Sequence, residues 1–132
     1  MTRRNRARLF HDLHRSGSFV LLNAWDAASA AVIEAAGGEA IGTTSSGISW
    51  ALGVPDGENL NRDEALSMTA RIAAAVDVPV SADIEAGYGP APHDLAETTR
   101  LVIAAGAVGI NLEDRLLTDG IRHPEMQQLM SR

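Results

Sequence analysis

The chain has 132 residues, 45% of them hydrophobic, and a formal net charge of -6, enough apolar material for one packed domain over 1–132 and too acidic for a nucleic-acid surface. All 11 cationic side chains are arginine and there is no cysteine, which excludes a Schiff-base lysine, a P-loop lysine, a thiolate nucleophile, a disulfide and a thiolate metal site within this segment. With no apolar run long enough for a membrane span or signal peptide, the sequence reads as cytoplasmic, with no membrane partner.

Taken in order, the segments alternate. A leading helix is expected over Arg3–Arg15, closed by Gly17; its crowd of arginines reads as a solvated face. Phe19–Leu22 suits a buried strand. Asp26 is placed to cap an alanine-rich helix over Ala27–Ala36, which Gly37 and Gly38 stop. Ala40–Thr44 is the second strand, and a long loop is expected over Ser45–Leu60. Asn61 and Glu64 have capping spacing before a helix that sets Ala65, Met68, Ile72 and Val76 on one stripe. Val78–Ile84 is the third strand, Pro92–Ala105 a helix, Ala107–Leu112 the fourth strand, and His123–Arg132 opens another helix. Strands joined by single helices imply a parallel α/β sheet with right-handed crossovers. Four βα units are present, the last unfinished, against eight and about 250 residues in a closed barrel; the pattern is half a barrel or a small open sheet. No Gly-x-Gly-x-x-Gly follows the first strand, which speaks against dinucleotide binding.

The chemistry concentrates at strand ends. In Ser81-Ala82-Asp83-Ile84-Glu85-Ala86-Gly87-Tyr88-Gly89 an apolar strand runs into two carboxylates one residue apart, and strand alternation puts Asp83 and Glu85 on one face. Taken alone, such a pair reads as a helix cap or a surface ion pair. Asn111 and Glu113 repeat the spacing at the end of the next strand, which turns the reading toward a site. Close carboxylates repel and are costly to bury, and a hard divalent cation such as magnesium relieves both problems. Asp56, in Pro55-Asp56-Gly57, is good turn chemistry and also a further acidic candidate. The hydroxyls and amides of Thr43-Thr44-Ser45-Ser46-Gly47 form either a polar loop or a holder for a carboxylate or oxyanion. Asp114 alternates outward toward a partner such as Arg115, and His93 and His123 read as surface residues.

From about Leu9 to Asp114 the chain resembles the isocitrate lyase and phosphoenolpyruvate mutase superfamily. The resemblance rests on Asn23-Ala24-Trp25-Asp26-Ala27-Ala28-Ser29-Ala30, Ser46-Gly47, Leu52-Gly53-Val54-Pro55-Asp56-Gly57, Asp83-Ile84-Glu85-Ala86-Gly87-Tyr88-Gly89 and Gly109-Ile110-Asn111-Leu112-Glu113-Asp114, in that order and spacing. It implies a (β/α)8 barrel of TIM type, of which this chain carries the first four units, and a homo-oligomer. It implies magnesium, or manganese in its place, and a C–C or P–C bond lyase or mutase reaction at an α-keto acid or related carboxylate through an enolate. Carried over by motif, Asp56, Asp83, Glu85 and Glu113 form the metal shell. Ser46 and Gly47 hold the substrate carboxylate and oxyanion, with Asp56 shared between metal and substrate.

Two departures stand out. Glu85 replaces the usual aspartate and is one methylene longer. Where family lyases carry Lys-(Lys/Arg)-Cys-Gly-His, with the cysteine as acid/base, this chain reads Arg115-Leu116-Leu117-Thr118-Asp119-Gly120-Ile121-Arg122. Isocitrate or methylisocitrate cleavage is therefore not expected; a mutase, decarboxylase or hydrolase-like relative fits, and the acid/base residue is unassigned. The alternatives are a non-catalytic half-barrel with an assembly role and another βα-barrel enzyme with a phosphorylated substrate, whose phosphate site would follow strands outside this chain.

Overall fold

The computed structural model describes residues 1–15 and 17–113 and the backbone of 117–118 and 121–122. Four strands, β1 (Leu22–Ala24), β2 (Ile41–Thr43), β3 (Val80–Asp83) and β4 (Gly109–Asn111), form one parallel sheet in the order β1-β2-β3-β4. The helices are α1 (Arg3–Leu13), α2 (Ala27–Ala35), α3 (Ser45–Ala51), α4 (Arg62–Ala75) and α5 (Pro92–Ala104). The backbone of β5 (Leu117–Thr118) pairs antiparallel with β6 (Ile121–Arg122). The helix expected over His123–Arg132 and the pairing expected of Asp114 with Arg115 lie outside the described residues.

Local signals explain most helix starts. Asp26 accepts from the Ser29 amide at 2.7 Å while Ser29 Oγ accepts from the Asp26 amide at 3.1 Å, a reciprocal cap. Asn61 Oδ1 accepts from the Glu64 amide at 3.0 Å. Two expectations are corrected. The first strand is Leu22–Ala24 and not Phe19–Leu22. Phe19 instead meets Phe10 and His14 edge-on, with ring centroids 6.3 and 4.9 Å away, so its apolarity serves an aromatic cluster. The expected loop from Ser45 opens with α3, capped by Thr44, whose hydroxyl accepts from the Gly47 amide at 3.3 Å. Burial of Ile48 and Ser49 overrides the poor helix propensity of its serines and glycine.

The register separates the two faces of the sheet. Ile41 lies beside Val80, and both join α2 and α4 through Ala30, Ile72 and Ala73 in the main core. Burial of Ile41, Ile72 and Val80 contributes about 1.5–3 kcal/mol each. The opposite face carries small or polar side chains in a row, Asn23, Gly42, Ser81 and Gly109. A side chain on Gly109 would collide with the Phe10 ring and come 3.0 Å from Ser81 Oγ. Glycine is what lets α1 lay Phe10 there. Arg6 secures the same helix, donating to the Ala73 and Val76 carbonyls at 3.2 and 3.4 Å.

Candidate active site

Two residues further along β3 and β4, the polar face reaches the C-terminal edge of the sheet, where Asp83 stands beside Asn111 in register. Asp83 is tied down from three sides. Its Oδ2 accepts from the Ser45 amide at 3.0 Å and the Ser45 hydroxyl at 2.8 Å, and its Oδ1 accepts from the Glu85 amide at 3.2 Å. Its own amide donates to Thr43 Oγ1 at 2.8 Å. The hydroxyl segment that the sequence offered as a carboxylate holder thus holds a carboxylate of its own chain.

Glu85 reaches the site by a different route from the one alternation implied. The strand ends at Asp83, and Glu85 has φ 50, the left-handed region, so it turns with the chain and no longer follows the pleat. Its side chain is 1% exposed and its Oε2 accepts from the Glu58 amide at 2.7 Å. Its carbonyl accepts from the Glu113 amide at 2.6 Å, which binds the ends of β3 and β4 together.

Glu58 is the acidic residue that sequence reasoning missed. It sits at φ 57 in the loop after α3, and its Oε1 accepts from the Ala86 and Tyr88 amides, each at 3.1 Å. Nothing in its spacing announces a partner 28 and 30 residues away. Burial, and then the carboxylates of Glu85, Glu58 and Asp83, push the Tyr88 phenol well above its ordinary pKa. The three carboxylates are joined by hydrogen bonds through their backbones: the Glu85 amide donates to Asp83 Oδ1 and the Glu58 amide to Glu85 Oε2. Glu58 and Tyr88 also line an open cleft of about 670 Å³, together with Asn61, Arg62 and Asp94 among others.

Asp56 is exposed, its Oδ1 accepting from the Gly57 amide at 3.0 Å and its carbonyl from Asn59 Nδ2 at 2.9 Å, which is turn chemistry. Ser46 Oγ lies 3.1 Å from Thr44 Oγ1. At Gly47 a side chain would come within 2.7 Å of Thr44 Cγ2 and 3.1 Å of Trp25 Cβ, so any larger residue in this first turn of α3 would have to displace Thr44. His93 is at the surface in the first turn of α5.

Among the described residues, no three carboxylate or histidine side chains converge at direct metal-ligand spacing. The donor chemistry nevertheless suits magnesium, which takes hard oxygens and keeps several of its waters. Asp83 accepts three hydrogen bonds where a carboxylate offers about four acceptor positions, which leaves it able to hold an ion through water.

The sequence pattern of the family described as phosphoenolpyruvate phosphomutase matches residues 10–131. The chain belongs to that family. In three dimensions it is similar to a Burkholderia cenocepacia J2315 protein described as a lyase/mutase, with 45% identity and a TM-score of 0.82 over 86% of this chain and 41% of that one. It is also similar to 2,3-dimethylmalate lyase, a phosphoenolpyruvate mutase/isocitrate lyase superfamily member, with 26% identity and a TM-score of 0.75 over 88% of this chain and 38% of that one. Among curated proteins it is 28% identical to 2-methylisocitrate lyase of Escherichia coli strain K12 over 104 residues, 78% of this chain and 35% of the relative. The four-stranded parallel α/β sheet thus matches part of the TIM-type barrel proteins of that superfamily. The chain spans 33–41% of the length of the curated relatives it matches.

Proposed function

We propose that this chain supplies the acidic wall of a magnesium-dependent site in a C–C or P–C bond lyase or mutase. In this reading an α-keto acid or related small carboxylate reacts there through an enolate. The observation that carries the proposal is the hydrogen-bonded chain of Asp83, Glu85 and Glu58 beyond the C-terminal end of β3, the end of a barrel where active sites are built.

Asp83, Glu85 and Glu113 would hold the ion and its waters, with Asp56 joining from the exposed turn two residues before Glu58. Magnesium, or manganese in its place, supplies a Lewis acid that stabilises negative charge developing on an enolate oxygen. Ser46 and the Gly47 amide, at the start of α3, would orient the substrate carboxylate by hydrogen bonding. Tyr88 keeps its proton at neutral pH and can donate a hydrogen bond but not accept a proton as base.

Calorimetric titration with Mg²⁺ and Mn²⁺ tests the metal assignment. Asp83→Ala should weaken binding by at least about tenfold, while Glu39→Ala, at an exposed position, should leave it unchanged. Equal affinity in wild type and Asp83→Ala would remove the assignment.

A further inference from the structure

We propose that Glu58 is a positioning residue: its carboxylate fastens the loop after α3 to the turn after β3, and so sets where the Glu85 carboxylate lies. The proposal rests on the reading that Glu85 serves a divalent cation.

The two glutamates hold each other's backbone. The Glu58 amide donates to Glu85 Oε2 at 2.7 Å, and in return Glu58 Oε1 accepts from the Ala86 and Tyr88 amides at 3.1 Å each. Each carboxylate is thereby matched with amide donors from the other segment, which compensates for bringing two negative charges into a half-dry site. Neither segment would keep this shape unaided. Glu58, Glu85 and Tyr88 have φ of 57, 50 and 59, a region that residues with a Cβ seldom occupy. Three such residues within one hydrogen-bonded exchange mark a conformation maintained by its surroundings.

The rest of the Glu85 backbone is fixed separately, by Asp83 Oδ1 on its amide and by the Glu113 amide on its carbonyl. What Glu58 adds is direction: its amide meets the Glu85 carboxylate, and its own carboxylate keeps that amide in place. With Oε1 engaged by two amides, the role proposed for Glu58 is to act on a bound cation through Glu85 and not as a ligand.

Three variants separate position from charge. Glu58→Gln keeps an oxygen at the same reach and loses the charge. Glu58→Asp keeps the charge and loses the reach. Glu58→Ala loses both. Mn²⁺ affinity should fall by about tenfold or more in Glu58→Ala and Glu58→Asp, and stay within about threefold in Glu58→Gln, the range typical of groups that orient a metal ligand. Without added metal, hydrogen exchange at the Ala86 and Tyr88 amides should accelerate at least about tenfold in Glu58→Ala and Glu58→Asp but not in Glu58→Gln.

Loss in Glu58→Gln equal to that in Glu58→Ala would make Glu58 a ligand and overturn the proposal. Wild-type Mn²⁺ affinity in Glu58→Ala, with faster amide exchange, would reduce the residue to a structural tie and overturn it equally. Absence of Mn²⁺ binding in the wild type would remove the metal reading and this role with it; unchanged amide exchange in Glu58→Ala would instead remove the hydrogen-bonded exchange itself. Should Glu58→Ala fail to fold, the contrast between Glu58→Asp and Glu58→Gln decides.

Discussion

The hydroxyl and the amide of Ser45 both donate to Asp83 Oδ2, at 2.8 and 3.0 Å. The first residue of α3 therefore orients the carboxylate at the end of β3, 38 residues away in sequence. Hydrogen bonds to a charged group in a partly buried setting are among the stronger ones, because solvent competes less for the carboxylate. Ser45→Ala removes the hydroxyl donor and keeps the amide. It should lower stability by about 1–2 kcal/mol in chemical denaturation and weaken Mg²⁺ binding several-fold without abolishing it. Unchanged stability and affinity would mean that the Ser45 hydroxyl contributes nothing to fixing Asp83.

Tyr88 gives a pH signature, and as the chain's single tyrosine it gives a clean one. Burial first, then the Glu85, Glu58 and Asp83 carboxylates, disfavour the phenolate and raise the phenol pKa. An unfolded chain ionises its phenol near pH 10 while the folded chain retains the proton. The stabilisation is thus complete below about pH 10 and is lost as pH rises from there toward the folded pKa. Spectrophotometric titration should show no tyrosinate absorbance at a pH where a free phenol is half ionised, and then a late rise accompanied by unfolding. Ordinary titration near pH 10 in the folded protein would show that the phenol is not enclosed by these carboxylates.

How much of this was legible beforehand depends on the range of the interaction. The caps at Asp26 and Asn61 and the stripe through Ile72 are short-range patterns, and α2 and α4 begin where they indicate. Asp83 follows from β3 and its register with Asn111. Glu85 required knowing that the strand stops before it, since φ 50 breaks the alternation on which the same-face argument relied. Helix α3 was hidden because Ser45, Ser46 and Gly47 are poor helix formers, and burial of Ile48 and Ser49 decided the matter. Glu58 was illegible for a different reason: its partners lie in a turn distant in sequence, and no periodicity connects two loops.

Cleavage of isocitrate or 2-methylisocitrate is not expected. The lyases that this chain resembles place a thiol acid/base soon after the strand-four glutamate. Here that stretch is Arg115-Leu116-Leu117-Thr118-Asp119-Gly120-Ile121-Arg122, and the chain contains no cysteine. Tyr88 is no substitute as a base, because its phenol holds its proton. A coupled assay for released glyoxylate or pyruvate should give no signal above background. Turnover at ordinary enzymatic rates, about 1–10³ s⁻¹, would show that a residue other than a cysteine carries the proton transfer.

Self-association is expected of the 132-residue chain, and the faces of the sheet say where. The row Asn23, Gly42, Ser81 and Gly109 is small or polar, with the Phe10 ring against Gly109 and Leu21 beside Gly42. Both edges expose apolar side chains. Among the described residues β1 and β4 each have a partner strand on one side only, which leaves backbone donors and acceptors available for pairing. Leu22 is 46% exposed on the first edge and Ile110 41% on the other. Beside β1, Leu22, Trp25, Val32 and Ile33 line an open apolar hollow of about 510 Å³. Contiguous patches of that kind on soluble monomers usually mark contact surfaces. Light scattering at micromolar concentration should report a dimer or larger species. Added salt should not dissolve it, because apolar contact is not screened as ion pairs are. Leu22→Lys together with Ile110→Lys should shift the population toward monomer by placing a charge on each edge. A monodisperse monomer near 13.9 kDa with a cooperative melt would overturn this, and would mean that both edges are already satisfied within a single chain.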